Sequence, residues 1–358
     1  MKALVLGYGA SGKAVEKSLK ERGWEVDVAE GYDLVVTSPA IKVVSELQYG
    51  VELLKSRGVR LLAVTGSKGK SSVVKLVAEA INLSGLKAVA CGNYGLPVTD
   101  VGECDECDWA VVEVSSFQLE TTALSADTFE AAAILNLQED HLDRHGTADV
   151  YHNLKKRLLA MAKCAAEPDN DAADLLSGSY FDNPILRLNG LYAISLLRTA
   201  GIGAEIIREA FRRFEPLPHR MNTVGVFSGV KCINDSKATS LAATAAAIEM
   251  VDGPLRLIAG GKPKGDNPDF LKELLTSRVK KVYLIGESSD AFFKAWSGAV
   301  DCEICGRLDE AVKSAFADAV NGDTLLFSPG TASFDQFKNY MERGEKFADL
   351  VKKEGKTK

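Results

Sequence analysis

Residues Leu61–Ile81 read LLAVTGSKGKSSVVKLVAEAI, and the reading of this stretch decides the fold. An apolar run, Leu61 to Val64, breaks at Thr65-Gly66 and passes through Ser67-Lys68-Gly69-Lys70-Ser71-Ser72; Val73, Val74, Val77 and Ile81 then recur at helical spacing. The pattern predicts strand, glycine loop and helix. Glycines let backbone N–H groups converge on a phosphate chain, and the helix start adds partial positive charge. Lys70 would reach the outer phosphates and the Ser71 hydroxyl would face a magnesium ion. A strict phosphate loop carries a further glycine upstream, where Val64 and Thr65 stand, so the motif is the shorter Gly66-x-x-Gly69-Lys70-Ser71. The bland alternative is a surface turn rich in Gly, Ser and Lys.

Length and composition narrow the classes. At 358 residues the chain suits two or three domains. With 46% hydrophobic and 26% charged residues it reads as an ordinary globular protein. A net charge of −6 offers no global attraction for nucleic acid or an anionic membrane. No apolar run approaches a membrane span and the N-terminus carries no leader pattern, so a cytoplasmic location is expected. Seven cysteines argue against a secreted disulfide framework. Cys104/Cys107 and Cys302/Cys305 are Cys-x-x-Cys pairs, readable as a zinc site or as free thiols in or near loops.

Upstream, strand Lys2–Leu6 leads into Gly7-Tyr8-Gly9-Ala10-Ser11-Gly12, a helix to Arg22-Gly23, and strand Trp24–Ala29. This Gly-x-Gly-x-x-Gly setting suggests a small α/β domain for a phosphate-bearing ligand, a nicotinamide cofactor being the other option. Asp33–Ile41 reads as a further strand. Downstream, strand Leu86–Ala90 runs into the Gly92–Pro97 loop, strand Trp109–Val114 brings Glu113 and Ser115-Ser116 to its end, and strand Ala131–Leu135 meets Glu139-Asp140-His141-Leu142-Asp143-Arg144-His145. Ligands of parallel sheets bind outside such strand ends. Glu113 is a candidate second magnesium ligand or a strand-end charge; His141 on its own reads as a surface salt-bridge residue. A helix is expected from Asp149 to about Lys163, and others over 189–214.

Past Pro216 and Pro218 a third α/β unit is expected, with strands Val230–Asn234, Leu255–Ala259, Lys281–Ile285 and Thr324–Ser328. Helices are expected at Leu241–Met250, Asp269–Thr276, Ser289–Trp296 and Asp309–Val320, and from about Phe334. Alternation of this kind predicts a parallel, doubly wound sheet.

Six motifs in order resemble the Mur ligases of peptidoglycan synthesis: Thr65–Ser71, Glu113–Glu120, Asp140–Arg144, Leu217–Arg220, Asn234–Thr239 and Ser333–Phe337. Ser-Ser-Phe-Gln-Leu-Glu, Asp-Ser-Lys-Ala-Thr and Asp-Gln-Phe look most like the D-glutamate-adding branch. The resemblance implies a three-domain α/β architecture of mainly parallel sheets: 1–59 for a UDP-linked precursor, 60–220 for ATP, and 221–358 for the acceptor amino acid. It implies ATP, UDP-N-acetylmuramoyl-L-alanine and D-glutamate as substrates and two Mg2+ ions. No nucleic acid, membrane or obligate protein partner is expected.

By the same resemblance, Gly66, Ser67, Lys68, Gly69, Lys70, Ser71 and Ser72 hold ATP phosphates, Asn189 touches adenine and Arg220 faces a phosphate. Ser71, Glu113, His141 and Lys155 become metal ligands, Lys155 as a carbamate formed with carbon dioxide, and Lys156 is the competitor for that role. Lys70, His141, Lys155 and Lys237 are the expected catalytic set. Gly9, Ser11, Ser38, Asn93, Ser115, Lys237, Thr239, Lys264, Ser333 and Tyr340 are expected at the substrates. The chain departs from the family's habit at Lys68, Tyr192, Ser240 and Lys262-Pro263, and its Lys155–Asn189 interval is short. Rival readings are an NAD-linked oxidoreductase, a non-catalytic nucleotide-binding sensor, and a ligase for another acceptor.

Overall fold

A computed structural model describes residues 1–30, 43–102, 106–138 and 141–355. The expected strand at Asp33–Ile41 with its Ser38, together with Cys104, Glu139 and Asp140, lies outside the described residues. The chain divides into two compact units, 1–215 and 216–358.

In the first unit β1 (Lys2–Leu6) and β2 (Glu25–Ala29) form a parallel pair, joined by α1 (Ala10–Glu21). Gly12 is needed there, because a Cβ would stand 2.0 Å from the Gly7 carbonyl oxygen. A helix not anticipated from the sequence, α2 (Glu46–Ser56), is capped by the Ser45 hydroxyl, which accepts from the Gln48 amide at 3.1 Å. Its Leu47, Val51 and Leu54 share a core with Leu61 and Ala63 of the next strand.

That strand opens the second sheet of this unit: β3 (Arg60–Thr65), α3 (Lys70–Leu83), β4 (Ala88–Gly92), α4 (Val98–Gly102), β5 (Trp109–Glu113), α5 (Ser116–Thr121) and β6 (Ala131–Ile134). The order is β4-β5-β3-β6, all parallel. Helices cover both faces, which is why β3 and β5 read as unbroken apolar runs rather than alternating ones. Trp109 is fully buried, with the Arg60 guanidinium 4.2 Å from its ring centroid.

Beyond β6 come α6 (Leu142–His145), α7 (Ala148–Lys156), α8 (Arg187–Thr199) and α9 (Ala204–Arg213). Here α7 stops at Lys156 instead of continuing to Lys163. The chain turns back along the open edge of β6, where the Lys163 amide donates to Phe129 at 2.9 Å and the Ala166 amide to Ala132 at 2.8 Å. Edge hydrogen bonds replace a last helical turn.

The second unit runs β7 (Asn222–Phe227), β8 (Val230–Asn234), α10 (Leu241–Glu249), β9 (Leu255–Gly260), α11 (Lys272–Arg278) and β10 (Val279–Ile285). It continues with α12 (Ser289–Trp296), β11 (Asp301–Gly306), α13 (Leu308–Asp318), β12 (Thr324–Phe327) and α14 (Tyr340–Glu354). Its sheet order is β11-β10-β9-β12-β8-β7, parallel except for β7. The two edges, β7 and β11, were not anticipated, and Cys302 and Cys305 therefore lie within a strand rather than a loop. The last helix begins at Tyr340, not Phe334, because the Asn339 side chain caps it, accepting from the Met341 and Glu342 amides, each at 2.9 Å. Trp296, fully buried, donates from Nε1 to the Pro268 carbonyl at 2.8 Å and packs against the tilted ring of Phe292, 4.3 Å away between centroids.

Candidate active site

The loop between β3 and α3 is built around two glycines with positive φ, Gly66 at 148° and Gly69 at 85°. Gly69 also lies tight beneath Asn189 of α8: a Cβ there would stand 2.2 Å from the Asn189 amide nitrogen. The loop is held from the strand beside it. The Ser67 hydroxyl donates to the Gln138 carbonyl and accepts from the Gln138 amide, both at 2.9 Å. Asn136 clasps Lys68, accepting from its amide at 2.9 Å and donating to its carbonyl at 2.8 Å. Asn136 and Gln138 were passed over in the sequence, where they look like ordinary loop polars.

Two lysines converge on one carbonyl. Lys70, first residue of α3, donates from Nζ to Gly66 at 2.7 Å and to Ser67 at 3.1 Å. Lys155 of α7, only 1% exposed, donates to the same Gly66 oxygen at 3.0 Å and approaches the Thr65 hydroxyl at 3.4 Å. Its neighbour Lys156 is exposed. Tyr151 supports the pair: its ring lies 4.6 Å below the Lys155 ammonium and its hydroxyl donates to Ser67 at 3.1 Å.

Glu113, at the end of β5, pairs in register with Val64 and so stands beside the loop. It is 2% exposed. One carboxylate oxygen accepts from the Asn93 side chain at 2.7 Å; the other is buried with no hydrogen-bond partner. A buried carboxylate oxygen left alone is costly, by about 1–3 kcal/mol, so a cation at that place would relieve it. Ser71 and Ser72 lie nearly buried at the start of α3.

The two histidines separate. His141 is exposed, with φ 53°, and its ring lies 5.0 Å from Phe117 and 6.4 Å from Tyr151. His145 is buried, shares a hydrogen bond with Ser116 at 3.0 Å, and sits 3.3 Å from Glu120. Hydrogen bonding from Arg144 holds the Glu120 carboxyl below its usual range. Ser115 caps α5 in a reciprocal capping box with Gln118. Gly9 and Ser11 stand exposed at the first turn of α1.

In the second unit Lys237 lies 3.8 Å over the ring of Tyr340, and the Ser236 hydroxyl donates to the Tyr340 carbonyl at 2.8 Å. Ser333 is buried and Thr239 half-buried. Lys264 is exposed on a turn tied to the Ser333 loop by reciprocal Lys262–Ala332 backbone bonds of 2.9 and 3.1 Å. Arg220 follows His219, whose φ of 62° and contact with Asn234 at 3.1 Å fix that bend; burial pulls the imidazole below its ordinary pKa.

Residues 64–168 match the Mur ligase middle domain, and residues 219–330 match the Mur ligase, glutamate ligase domain. The UDP-N-acetylmuramoylalanine--D-glutamate ligase of Acidobacterium capsulatum is 32% identical, over 98% of this chain and 96% of that protein. The chain belongs to the Mur ligase family. The ligase of the same name from Aliivibrio fischeri is 33% identical to this Mur ligase over 93% of the chain and 86% of that protein. The structure of MurF ligase from Thermotoga maritima in complex with ADP superposes with a TM-score of 0.68 at 16% identity, covering 99% of this chain and 95% of that one.

Within this Mur ligase, the phosphate-loop residues Gly66–Ser72, the expected metal ligands Glu113 and Lys155, the expected adenine contact Asn189 and the expected precursor contact Asn93 lie next to one another. Lys237 and Tyr340 meet in the second unit. The residues that sequence reasoning missed here, Asn136 and Gln138, hold the loop through its backbone and the Ser67 hydroxyl.

Proposed function

We propose that this Mur ligase uses ATP to join D-glutamate to UDP-N-acetylmuramoyl-L-alanine in peptidoglycan precursor synthesis. The observation that carries this reading is the likeness to D-glutamate ligases along 98% of the chain. A cytoplasmic setting, where ATP is supplied, goes with it; among the described residues no helix is long and apolar enough to cross a membrane.

The chemistry has two parts. The alanyl carboxylate attacks the γ-phosphate of ATP and ADP leaves, giving an acyl phosphate. The amine of D-glutamate then attacks the acyl carbon, loses a proton and displaces phosphate. The first part brings anion to anion, and fixed cations offset that repulsion. Lys70 already overhangs the loop and would exchange its carbonyl contacts for phosphate oxygens. The Gly69 amide and the start of α3 would add donors, and Asn189, closely packed on Gly69, would sit at the nucleotide.

The orphaned oxygen of Glu113 and the Ser71 hydroxyl are hard donors suited to magnesium. His141, and Lys155 as a carbamate, would complete the places for two ions; magnesium, when bound, would neutralise phosphate charge. Burial of Lys155 beside the loop, against the exposure of Lys156, supports its choice for carbamylation. Lys237, Thr239, Lys264, Ser333 and Tyr340 would take the acceptor, Arg220 a phosphate, and Gly9, Ser11, Asn93 and Ser115 the precursor. The Ser115 hydroxyl would do so while still capping α5.

The test is phosphate release from Mg·ATP with UDP-N-acetylmuramoyl-L-alanine and, in turn, D-glutamate, L-glutamate, L-alanine, L-lysine or no amino acid. Release that requires D-glutamate is expected. Release with another amino acid would overturn the specificity, and nucleotide binding without release would overturn the activity.

A further inference from the structure

One cation of the second unit is buried with no acid beside it. Arg343, on the first turn of α14, is 1% exposed. Its Nε donates to the Ser236 hydroxyl at 3.1 Å, Nη2 to the Ser236 and Thr331 carbonyls at 2.9 and 3.1 Å, and Nη1 to the Ala332 carbonyl at 3.1 Å. All four acceptors are neutral. Among the described residues no carboxylate comes within salt-bridge distance of it. Asp335 acts on it only from farther off, and the Asp335 carboxylate is itself hydrogen-bonded by the Glu287 amide at 3.2 Å. Burial pulls Arg343 down to about 10, so it keeps its charge at neutral pH. Buried ions are ordinarily paired, because desolvation is otherwise too costly.

What the guanidinium ties together is informative. Ser236 opens the loop after β8, which continues to Lys237 and Thr239. Thr331 and Ala332 belong to the loop after β12, which continues to Ser333 and is stitched to the turn carrying Lys264. The helix that supplies Arg343 starts at Tyr340, the ring under Lys237. Lys237, Thr239 and Ser333 thus sit within three residues of an Arg343 contact, Tyr340 opens the helix that carries Arg343, and Lys264 lies two residues past the Lys262–Ala332 bonds. The fit is tight: a Cβ on Gly261 would meet the Ala332 carbonyl and Thr331 hydroxyl at 2.6 Å and Arg343 Nη1 at 3.1 Å.

We propose that Arg343 is the positioning residue of the acceptor pocket, and that its unpaired positive charge favours an acceptor with a side-chain carboxylate over its neutral isostere. It acts through the two loops and its field, without touching the substrate. The inference rests on the functional reading above and deepens it. In a low-dielectric interior a unit charge several ångströms away changes the affinity for an anion by about tenfold.

The experiment compares full-length wild type, Arg343→Met and Arg343→Lys by phosphate release, titrating D-glutamate and D-glutamine at saturating Mg·ATP and precursor, then ATP at saturating D-glutamate. Arg343→Met is expected to raise the KM for D-glutamate about tenfold or more, to leave the KM for ATP within about twofold, and to narrow the preference for D-glutamate over D-glutamine. Arg343→Lys keeps the charge but loses the planar fork, so its KM for D-glutamate should rise while that preference survives.

A folded Met variant with an unchanged KM for D-glutamate overturns the inference, as does an equal rise in both KM values. Should the Met variant fail to fold, an unchanged KM in the Lys variant overturns it. A wild type that works only with a different, uncharged acceptor sinks the functional reading, and the selectivity with it. A wild type selective for D-glutamate beside indifferent variants sinks only the role of Arg343.

Discussion

A single buried oxygen separates stability from function at Glu113. Its unpartnered Oε2 is a cost to the fold and an asset to a bound cation. Glu113→Gln is therefore expected to fold with a melting temperature near wild type, yet to lose most of the stabilisation that Mg·ATP confers and about 10²-fold or more of its activity. An undiminished Mg·ATP shift in a thermal melt would exclude the residue from the metal site. At Lys155, substitution by Ala should abolish phosphate release, with partial rescue by short-chain carboxylic acids that restore an oxygen donor, whereas Lys156→Ala should stay active. Full activity of Lys155→Ala without additive would remove the carbamate. The residues named first from the sequence are those whose type is unusual for their setting, such as Glu113 ending an apolar strand. Arg343 was illegible for the opposite reason. In Tyr340-Met-Glu-Arg-Gly-Glu-Lys it looks like one more solvated charge on a basic and acidic helix, and only the fold shows it turned inward.

At the scale of elements, the phosphate loop is shaped by geometry that few residues can adopt. Gly69→Ala would force an alanine to φ near 85° and press its Cβ on Asn189. The left-handed conformation alone costs about 1–2 kcal/mol. The substitution should lower urea stability by that amount and weaken nucleotide binding; a stability within error of wild type would mean the loop relaxes freely. Ser115→Ala removes one half of the α5 capping box and should cost about 1 kcal/mol in the same assay. Central strands such as β3, β5, β9 and β10 were legible because burial on two faces demands unbroken apolar runs. β7 and β11 were not: each is a sheet edge, half-exposed, and NTVGVF and DCEICG carry the polar residues and glycine that edges tolerate. Helix limits at Lys156 and Tyr340 were set by a neighbouring strand edge and by an asparagine cap, and periodicity registers neither.

For the whole molecule, two units with separate cores are expected to unfold in two steps. Mg·ATP should raise the calorimetric transition of residues 1–215 and leave that of 216–358 nearly in place. Equal shifts of both would mean that Arg220, which belongs to the second unit, binds the nucleotide strongly. The order of the six motifs along the chain was the part of the architecture most legible in the sequence, and the split of the chain after Glu215 falls where Pro216 and Pro218 mark the approach to a new α/β unit. The buried tryptophans also give each unit its own optical voice. Trp109 lies under a guanidinium with its indole N–H unpartnered, whereas Trp296 is packed against Phe292 and hydrogen-bonded in an apolar core. A chain in which Trp24 and Trp109 are replaced by phenylalanine would carry its tryptophan emission in the second unit alone, and that emission would report events around Trp296 separately from those in the first unit.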